Sequence, residues 1–227
     1  MKRNLYLFSV LSVIIIALLT SCQKDNYPPP DATVTGSVID NATGKPIITE
    51  PYGFRIKMDE TSWSDNPTPR YINGYIDGTF NDKSYFAGTY VATPVDGAFV
   101  VPEPQTVQVK AKQTTTVTFN VNPFIRFDNV SIVREGTKVK ATFTMTKFVA
   151  SARPVDYAVI ANRNTAYFGI SLSDVTNRIR LTEDDFGVPK VIELDLPAGR
   201  AYYVRLAAYC ENPTGRYNYT EVVRIQM

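Results

Sequence analysis

Residues 104–121 read PQTVQVKAKQTTTVTFNV, and their apolar side chains fall on every second position. Val107 and Val109, then Val117, Phe119 and Val121, alternate with threonine, glutamine, lysine or asparagine. A period of two sends successive side chains to opposite faces of an extended chain, leaving one face apolar and the other wet. That is the signature of a half-buried β-strand, and Lys112-Gln113 supplies an exposed turn between two of them.

The same period recurs on both sides. Upstream, Val34, Gly36 and Val38 alternate with Thr35, Ser37 and Ile39, while Phe54, Ile56 and Met58 alternate with Arg55, Lys57 and Asp59. Downstream, residues 138–145 read KVKATFTM, another clean alternation. The breaks carry turn chemistry. Asn41-Ala42-Thr43-Gly44-Lys45-Pro46, Asp77-Gly78, Ala87-Gly88 and Asp96-Gly97 place glycine, asparagine and aspartate where tight turns or positive φ are needed. Short strands at this spacing predict an all-β chain of antiparallel sheets packed as sandwiches.

At 227 residues, 44% hydrophobic and 12% aromatic, the chain can build two cores of ordinary domain size. It has no histidine. That removes histidine-based triads, imidazole ligands for zinc and the easiest general base near neutral pH.

Ahead of the first strand, residues 1–4 read MKRN and residues 5–19 read LYLFSVLSVIIIALL, the positive and apolar regions of a signal peptide. An uncleaved anchor would need about 20 apolar residues; here small residues close the run and no positive cluster follows. Leu19-Thr20-Ser21-Cys22 resembles the bacterial lipobox, whose cysteine becomes the new N-terminus and carries the lipid. Cleavage before Cys22 removes Lys2 and Arg3, leaving 22 basic against 22 acidic side chains. A formally neutral chain has no basic excess to hold nucleic acid or an anionic bilayer. Attachment to the outer membrane then falls to the acyl chains, at about 0.8 kcal/mol per buried methylene. Cys210 is left without an intrachain partner. Tyr27-Pro28-Pro29-Pro30-Asp31 reads as a stiff, extended spacer. Gln23-Lys24-Asp25-Asn26 resembles the short lysine/acidic signal that sends lipoproteins of some Gram-negative glycan-foraging bacteria to the cell exterior, the alternative being an ordinary solvated tether.

Two further resemblances concern the folded part. TGSVIDNATGKPI, residues 35–47, resembles the first strand and turn of carboxypeptidase-regulatory-like, transthyretin-like domains, and DGTFNDKSYFAGTYVATP, residues 77–94, resembles their later strands. That resemblance implies that Phe80, Phe86 and Tyr90 enter the core. LPAGRAYYVRLAAYCENPTGRYNYTEVVRI, residues 196–225, resembles the last two strands of a fibronectin-type-III or immunoglobulin-like sandwich. Tyr202, Val204, Leu206 and Ala208 are expected inward with Cys210, an inert core thiol; Tyr203, Arg205, Ala207 and Tyr209 are expected outward. Thr182 is placed to cap a single helical turn at Glu183-Asp184-Asp185. The domains expected are a signal peptide at 1–21, a lipidated cysteine and tether at 22–32, a transthyretin-like sandwich at 33–122, and a fibronectin-III/immunoglobulin-like sandwich at 123–227.

The whole chain resembles a family of two-domain surface lipoproteins catalogued only as a domain of unknown function, encoded beside the transporter and glycan-binding lipoprotein pair of starch-utilisation-like loci. The resemblance implies a non-catalytic accessory of glycan uptake, with that pair as partners. It transfers no residue role except lipid attachment at Cys22.

Catalytic signatures are missing from the sequence. There is no HExxH, CxxC, GxxxxGK[ST] or GxGxxG motif, and neither a metal nor an organic cofactor is expected. A glycosidase needs two carboxylates flanking one bond; the densest acidic run, Glu183-Asp184-Asp185, reads better as a solvated turn.

Binding is the better-supported class. Sugar rings present flat C–H faces that pack on aromatic side chains, and WSDNPTPRYINGY, residues 63–75, holds such material. If the strand through Phe54, Ile56 and Met58 keeps its alternation, Trp63 falls on the outward face with Arg55 and Lys57. Tyr71, Asn73 and Tyr75 share one parity on the next strand. Together they form a candidate oligosaccharide platform, unless the strand bulges near Asp59-Glu60 or Trp63 packs on the second domain. Tyr203, Arg205 and Tyr209, with Tyr217 or Tyr219 beside them, form a second candidate face. It is either a cross-strand ladder on a solvated sheet or a protein contact, where tyrosine and arginine are enriched. The alternative class is a structural or adhesive surface protein whose sandwiches act as spacers or docking modules.

Overall fold

The computed structural model describes residues 28–227. The signal peptide and Cys22 lie outside the described residues, as does most of the proposed tether. The described chain is all-β apart from two 3₁₀ turns.

The strands fall into two groups in chain order. The first comprises β1 (Ala32–Asp40), β2 (Arg55–Glu60), β3 (Arg70–Asn73), β4 (Thr79–Tyr85), β5 (Gly88–Val95), β6 (Phe99–Val100), β7 (Gln105–Val109) and β8 (Thr114–Pro123). They make two four-stranded sheets, ordered β4-β1-β8-β6 and β3-β2-β5-β7. Between the sheets lies one continuous cluster of buried side chains, running from Ala32 to Val121 and including Val34, Val38, Phe54, Ile56, Met58, Phe119 and Val121. The period of two read from the sequence is thus the inward face of both sheets. Aromatic rings meet edge-on within this core, as Phe54 and Phe99 do at 6.5 Å and Tyr85 and Tyr90 at 5.4 Å. Each fully buried phenylalanine contributes roughly 1.5–3 kcal/mol of transfer free energy.

Two expectations for this group need correcting. The sheets are not wholly antiparallel: β1 and β8 run parallel, from Thr33 beside Thr114 to Asp40 beside Val121. β7 and β8 do not form a hairpin. The chain arches at Lys112, in the left-handed region at φ 57°, and carries β8 into the opposite sheet. Val109 and Val117 therefore reach one core from two sides. The second correction concerns Phe86, which is 48% exposed. A register shift in the β1–β4 pairing sets Val34 beside Asp82 but Ala32 beside Tyr85. The extra residue reverses the phase after Phe80, so Tyr85 enters the core and Phe86 is turned out.

The second group comprises β9 (Ile125–Glu135), β10 (Lys138–Lys147), β11 (Pro154–Asn162), β12 (Val175–Arg180), β13 (Lys190–Asp195), β14 (Ala201–Cys210), β15 (Asn218–Tyr219) and β16 (Val223–Gln226). A three-stranded sheet, β13-β10-β9, faces a five-stranded one in which β14 pairs with β11, β15 and β16 and β11 also pairs with β12. Their shared core runs from Phe124 to Met227. Tyr202, Val204, Leu206 and Ala208 point into it with Cys210, whose thiol burial pushes up to about 11. Thr182 holds the expected turn, its amide and hydroxyl both donating to Asp185 Oδ2, at 2.7 and 2.8 Å.

The outward reading of β14 fails at two residues. Arg205 and Ala207 are fully buried. The back of the five-stranded sheet carries its own small apolar cluster, Ala158, Ile160, Phe168, Ala207 and Tyr219, against which Ile48 and Ile170 pack. The chain between β11 and β12 folds over this face. With both faces covered, β11 reads as an almost unbroken buried run, as strands enclosed on two sides do.

Candidate functional site

The exposed tyrosines of the first group gather where its two sheets meet edge to edge. β3 is an edge of one sheet and β4 an edge of the other, and Gly74 bridges to Phe80 between them. A Cβ at Gly74 would stand 2.2 Å from the Phe54 ring, so only glycine lets the chain approach the core this closely. Arg70 ties the two edges together. Its Nη2 donates to Asp82 Oδ2 at 2.8 Å, its Nη1 donates to the Ser84 carbonyl, and the guanidinium lies 4.3 Å over the Tyr85 ring.

Beside this tie is an open concavity of about 510 Å³, lined by Tyr52, Tyr71, Asn73 and Tyr75 on one side and by Asn81 and Lys83 on the other. Tyr71 stands 39% exposed and Tyr75 46%. The Tyr71 ring is braced by Arg55, whose guanidinium sits 4.1 Å from its centroid and is held in turn by Asp96 at 2.6 Å. A braced ring loses little freedom when a ligand packs on it. Asn73 and Asn81 make no side-chain hydrogen bond among the described residues, so both carboxamides can turn toward a ligand.

The sequence places Tyr71, Asn73 and Tyr75 on one parity, and the structure brings all three to this concavity. Trp63 is not part of it. β2 ends at Glu60, and Trp63 lies beyond it in the connection to β3, 71% exposed. The alternation cannot be carried past the end of a strand, so its alignment with Arg55 and Lys57 does not hold.

Periodicity announces neither Tyr52, which joins the lining, nor Tyr167, which stands beside it. Tyr52 occupies the third position of the turn closed by the Gly53 amide on the Glu50 carbonyl, 2.9 Å. Its φ is 56°, where such turns ordinarily carry glycine or asparagine. A bulky side chain there costs roughly 1 kcal/mol or more, and Tyr52 is 61% exposed, so little burial offsets the strain. Strain of this kind collects at functional positions. The sequence signal was Pro51-Tyr52-Gly53, a turn with the wrong residue in it. Tyr167 comes from the second group, in the segment between β11 and β12. Burial raises its phenol above the usual range, and the neighbouring phenols of Tyr52 and Tyr75 add to the effect.

The seam that brings Tyr167 to Tyr52 is densely hydrogen-bonded. Arg216 donates to Glu50 Oε1 at 2.7 Å and Tyr219 to Oε2 at 3.0 Å. Asn218 accepts from the Ile125 amide at 2.9 Å and donates to the Ala98 carbonyl at 2.8 Å. Gly169 packs directly on Glu50, where a Cβ would lie 2.6 Å from Oε2. Farther along, Arg126 grips Asp40 through both oxygens, at 2.5 and 2.7 Å. Glu50 and Tyr52 are two residues apart, so the seam also fixes the turn that presents Tyr52.

The second candidate face is divided. Arg205 is sealed beneath the β11–β12 segment, donating to the Phe168 carbonyl at 3.0 Å with its guanidinium 4.2 Å over the Tyr219 ring. Tyr209 stacks on Tyr217 at 5.0 Å. Tyr203 lines a different cavity. These three do not form one exposed face. The acidic run is likewise occupied, with Lys147 on Glu183 at 2.6 Å and Lys190 on Asp185 at 2.5 Å. Among the described residues, no three metal-ligating side chains converge.

No family model matches the sequence, and no curated protein matches it. Solved structures do. A DUF3823 family protein from Bacteroides ovatus superposes with a TM-score of 0.75 at 18% identity, covering 86% of this chain and 99% of that one. A candidate carbohydrate-binding protein from Bacteroides uniformis gives 0.75 at 22% identity, over 87% and 100%. A DUF3823 family protein from Parabacteroides merdae gives 0.74 at 20%, over 88% and 100%. At these identities the likeness is one of fold: the architecture is shared along nearly the whole length of each of those proteins.

Proposed function

We propose that the protein is a lipid-anchored component of a glycan-uptake system at the outer surface of the outer membrane, attached through Cys22, and that it holds neutral oligosaccharide in the concavity of Tyr52, Tyr71 and Tyr75. The observation that carries the reading is Tyr52, a strained, exposed aromatic ring kept where glycine would relax the chain. Around it, exposed tyrosines supply flat apolar surface, while Asn73, Asn81 and Lys83 supply the few convergent polar groups a ligand site needs. The carbohydrate-related neighbour of like fold supports the same class of ligand, and the signal-like N-terminus supports the address. The role is binding rather than catalysis, with a transporter and its glycan-binding lipoprotein as partners.

Calorimetric titration of the folded protein with neutral oligosaccharides of several linkage types tests this. A bound member is expected to lose about tenfold in affinity on Tyr71→Ala, the order of one stacking contact. Unchanged affinity in that variant removes the site. Failure of every neutral saccharide, with recovery of only adhesive or matrix proteins through a C-terminal tag, turns the reading toward a structural surface protein.

A further inference from the structure

A second concavity, of about 330 Å³, opens at one end of the five-stranded sheet. Antiparallel pairing sets the exit of β11 beside the entrance of β14, and β16 pairs with that same end. Asn162 stands opposite Tyr203, and Tyr203 opposite Arg224. Arg163 and Asn164, just past β11, and Arg200, just ahead of β14, complete the lining with Arg224 and Tyr203.

The arginines are not placed at random. Asn162 accepts from the amides of Asn164 and Thr165 at 2.8 and 2.9 Å and donates to the Leu172 carbonyl at 2.7 Å, turning the chain back on itself. Asp174 accepts from the Arg163 amide at 2.7 Å and from its Nε at 3.2 Å, which fixes that guanidinium at the rim. Neither Arg200 nor Arg224 forms an ion pair among the described residues, Asp174 feels Arg200 only through its field, and no acidic side chain lines the cavity. Elsewhere the fold pairs its arginines readily, as at Arg55, Arg70, Arg126, Arg153 and Arg216. Guanidinium groups are planar forks matched to carboxylate and sulfate oxygens. Three of them around one concavity, with Asp174 engaging Arg163, leave positive potential that an oxyanion would satisfy.

We infer that this cavity binds an oxyanion, the carboxylate or sulfate group of an acidic saccharide, with Arg200 and Arg224 gripping the anion and Tyr203 flanking the sugar ring. The saccharide carrier rests on the glycan reading above; the recognition of an oxyanion does not.

The test is titration of the whole folded protein with a galacturonate trisaccharide, a sulfated disaccharide, inorganic sulfate and a neutral trisaccharide. The expected result is arginine-dependent binding of at least one acidic saccharide, weakening as sodium chloride is added. Affinity should fall about tenfold or more in Arg200→Ala/Arg224→Ala, a pair of exposed positions, and remain unchanged in Tyr71→Ala. Arg224→Lys should recover part of the loss, since it keeps charge but not the fork. Failure of all acidic probes, or equal binding by the double variant, overturns the proposal. Inorganic sulfate binding as tightly as either saccharide overturns the saccharide part. Loss of acidic binding in Tyr71→Ala would assign it to the tyrosine concavity instead and overturn this site.

Discussion

The hydroxyl of Tyr219 donates to Glu50 Oε2 at 3.0 Å across the seam between the two cores, and the same oxygen of Tyr219 accepts from the Ile170 amide at 3.1 Å. One phenol thus satisfies a carboxylate from the first group of strands and a backbone amide from the segment that presents Tyr167. Tyr219→Phe keeps the ring under Arg205 but abandons both partners. The expected loss is about 1–3 kcal/mol, seen as a fall in melting temperature of roughly 2–10 °C by calorimetry. Neutral saccharide affinity should fall with it, because Glu50 anchors the Tyr52 turn.

Asp40 and Arg126 form the other cross-seam grip, and it sets a pH dependence. Burial pushes the Asp40 carboxyl up, but the Arg126 hydrogen bonds and the Ala42 amide outweigh burial and hold it below its ordinary value. A group whose folded pKa is lowered contributes stability that is present above the unfolded value, 3.8, and drains away as pH falls through the folded one. Asp40→Asn should therefore cost about 1–3 kcal/mol at neutral pH. In strong acid it should cost almost nothing. Urea midpoints measured at both pH values check the convergence; parallel curves would remove the assignment.

Tyr52→Gly separates strain from fold. Glycine adopts φ 56° without penalty, so stability should hold or rise by up to about 1 kcal/mol despite the loss of a large side chain. Saccharide binding should drop. A variant that melts lower, or binds as before, would show that Tyr52 is not a residue retained for a ligand.

Arg205 is a fully buried charge with few partners. One nitrogen reaches the Phe168 carbonyl, while Nε and Nη2 find no hydrogen-bond partner among the described residues. Burial lowers its pKa to about 9, against which Tyr219 and Glu50 raise it. A base with a lowered folded pKa is penalised while charged, so its contribution to stability improves as pH rises above about 9. Arg205→Met keeps the length and discards the charge, and should leave stability unchanged or higher. Arg205→Ala opens a cavity and should lose about 2–4 kcal/mol. Chemical denaturation of the pair checks the ordering.

Much of this architecture was legible because strand periodicity is a local property. Phe54, Ile56 and Met58 alternate inward whatever lies across from them. Three things were not local. The parallel seat of β8 beside β1 depends on an arch at Lys112 that a hairpin turn would resemble in sequence. The exposure of Phe86 follows from a register shift that adds one residue and leaves no compositional mark. The burial of Arg205 follows from the β11–β12 segment folding over a face that alternation alone would leave wet. The same held at the site. Tyr71, Asn73 and Tyr75 could be grouped by parity, whereas Tyr167 reaches them from almost a hundred residues away through a seam built of Glu50, Arg216 and Tyr219. Trp63 was grouped with them by carrying the alternation of β2 forward, yet it lies past the strand end that would have aimed it.

The placement of β1 has a consequence for how the chain comes into being. It is an interior strand, zipped on one flank to β8, whose first partner, Thr114, is made long after Thr33. Synthesis proceeds from the N-terminus, so Ala32–Asp40 must wait, one flank bare and its valines wet, until some eighty further residues have been made. An unclosed edge of that kind invites stray pairing, and long-range closure is slow.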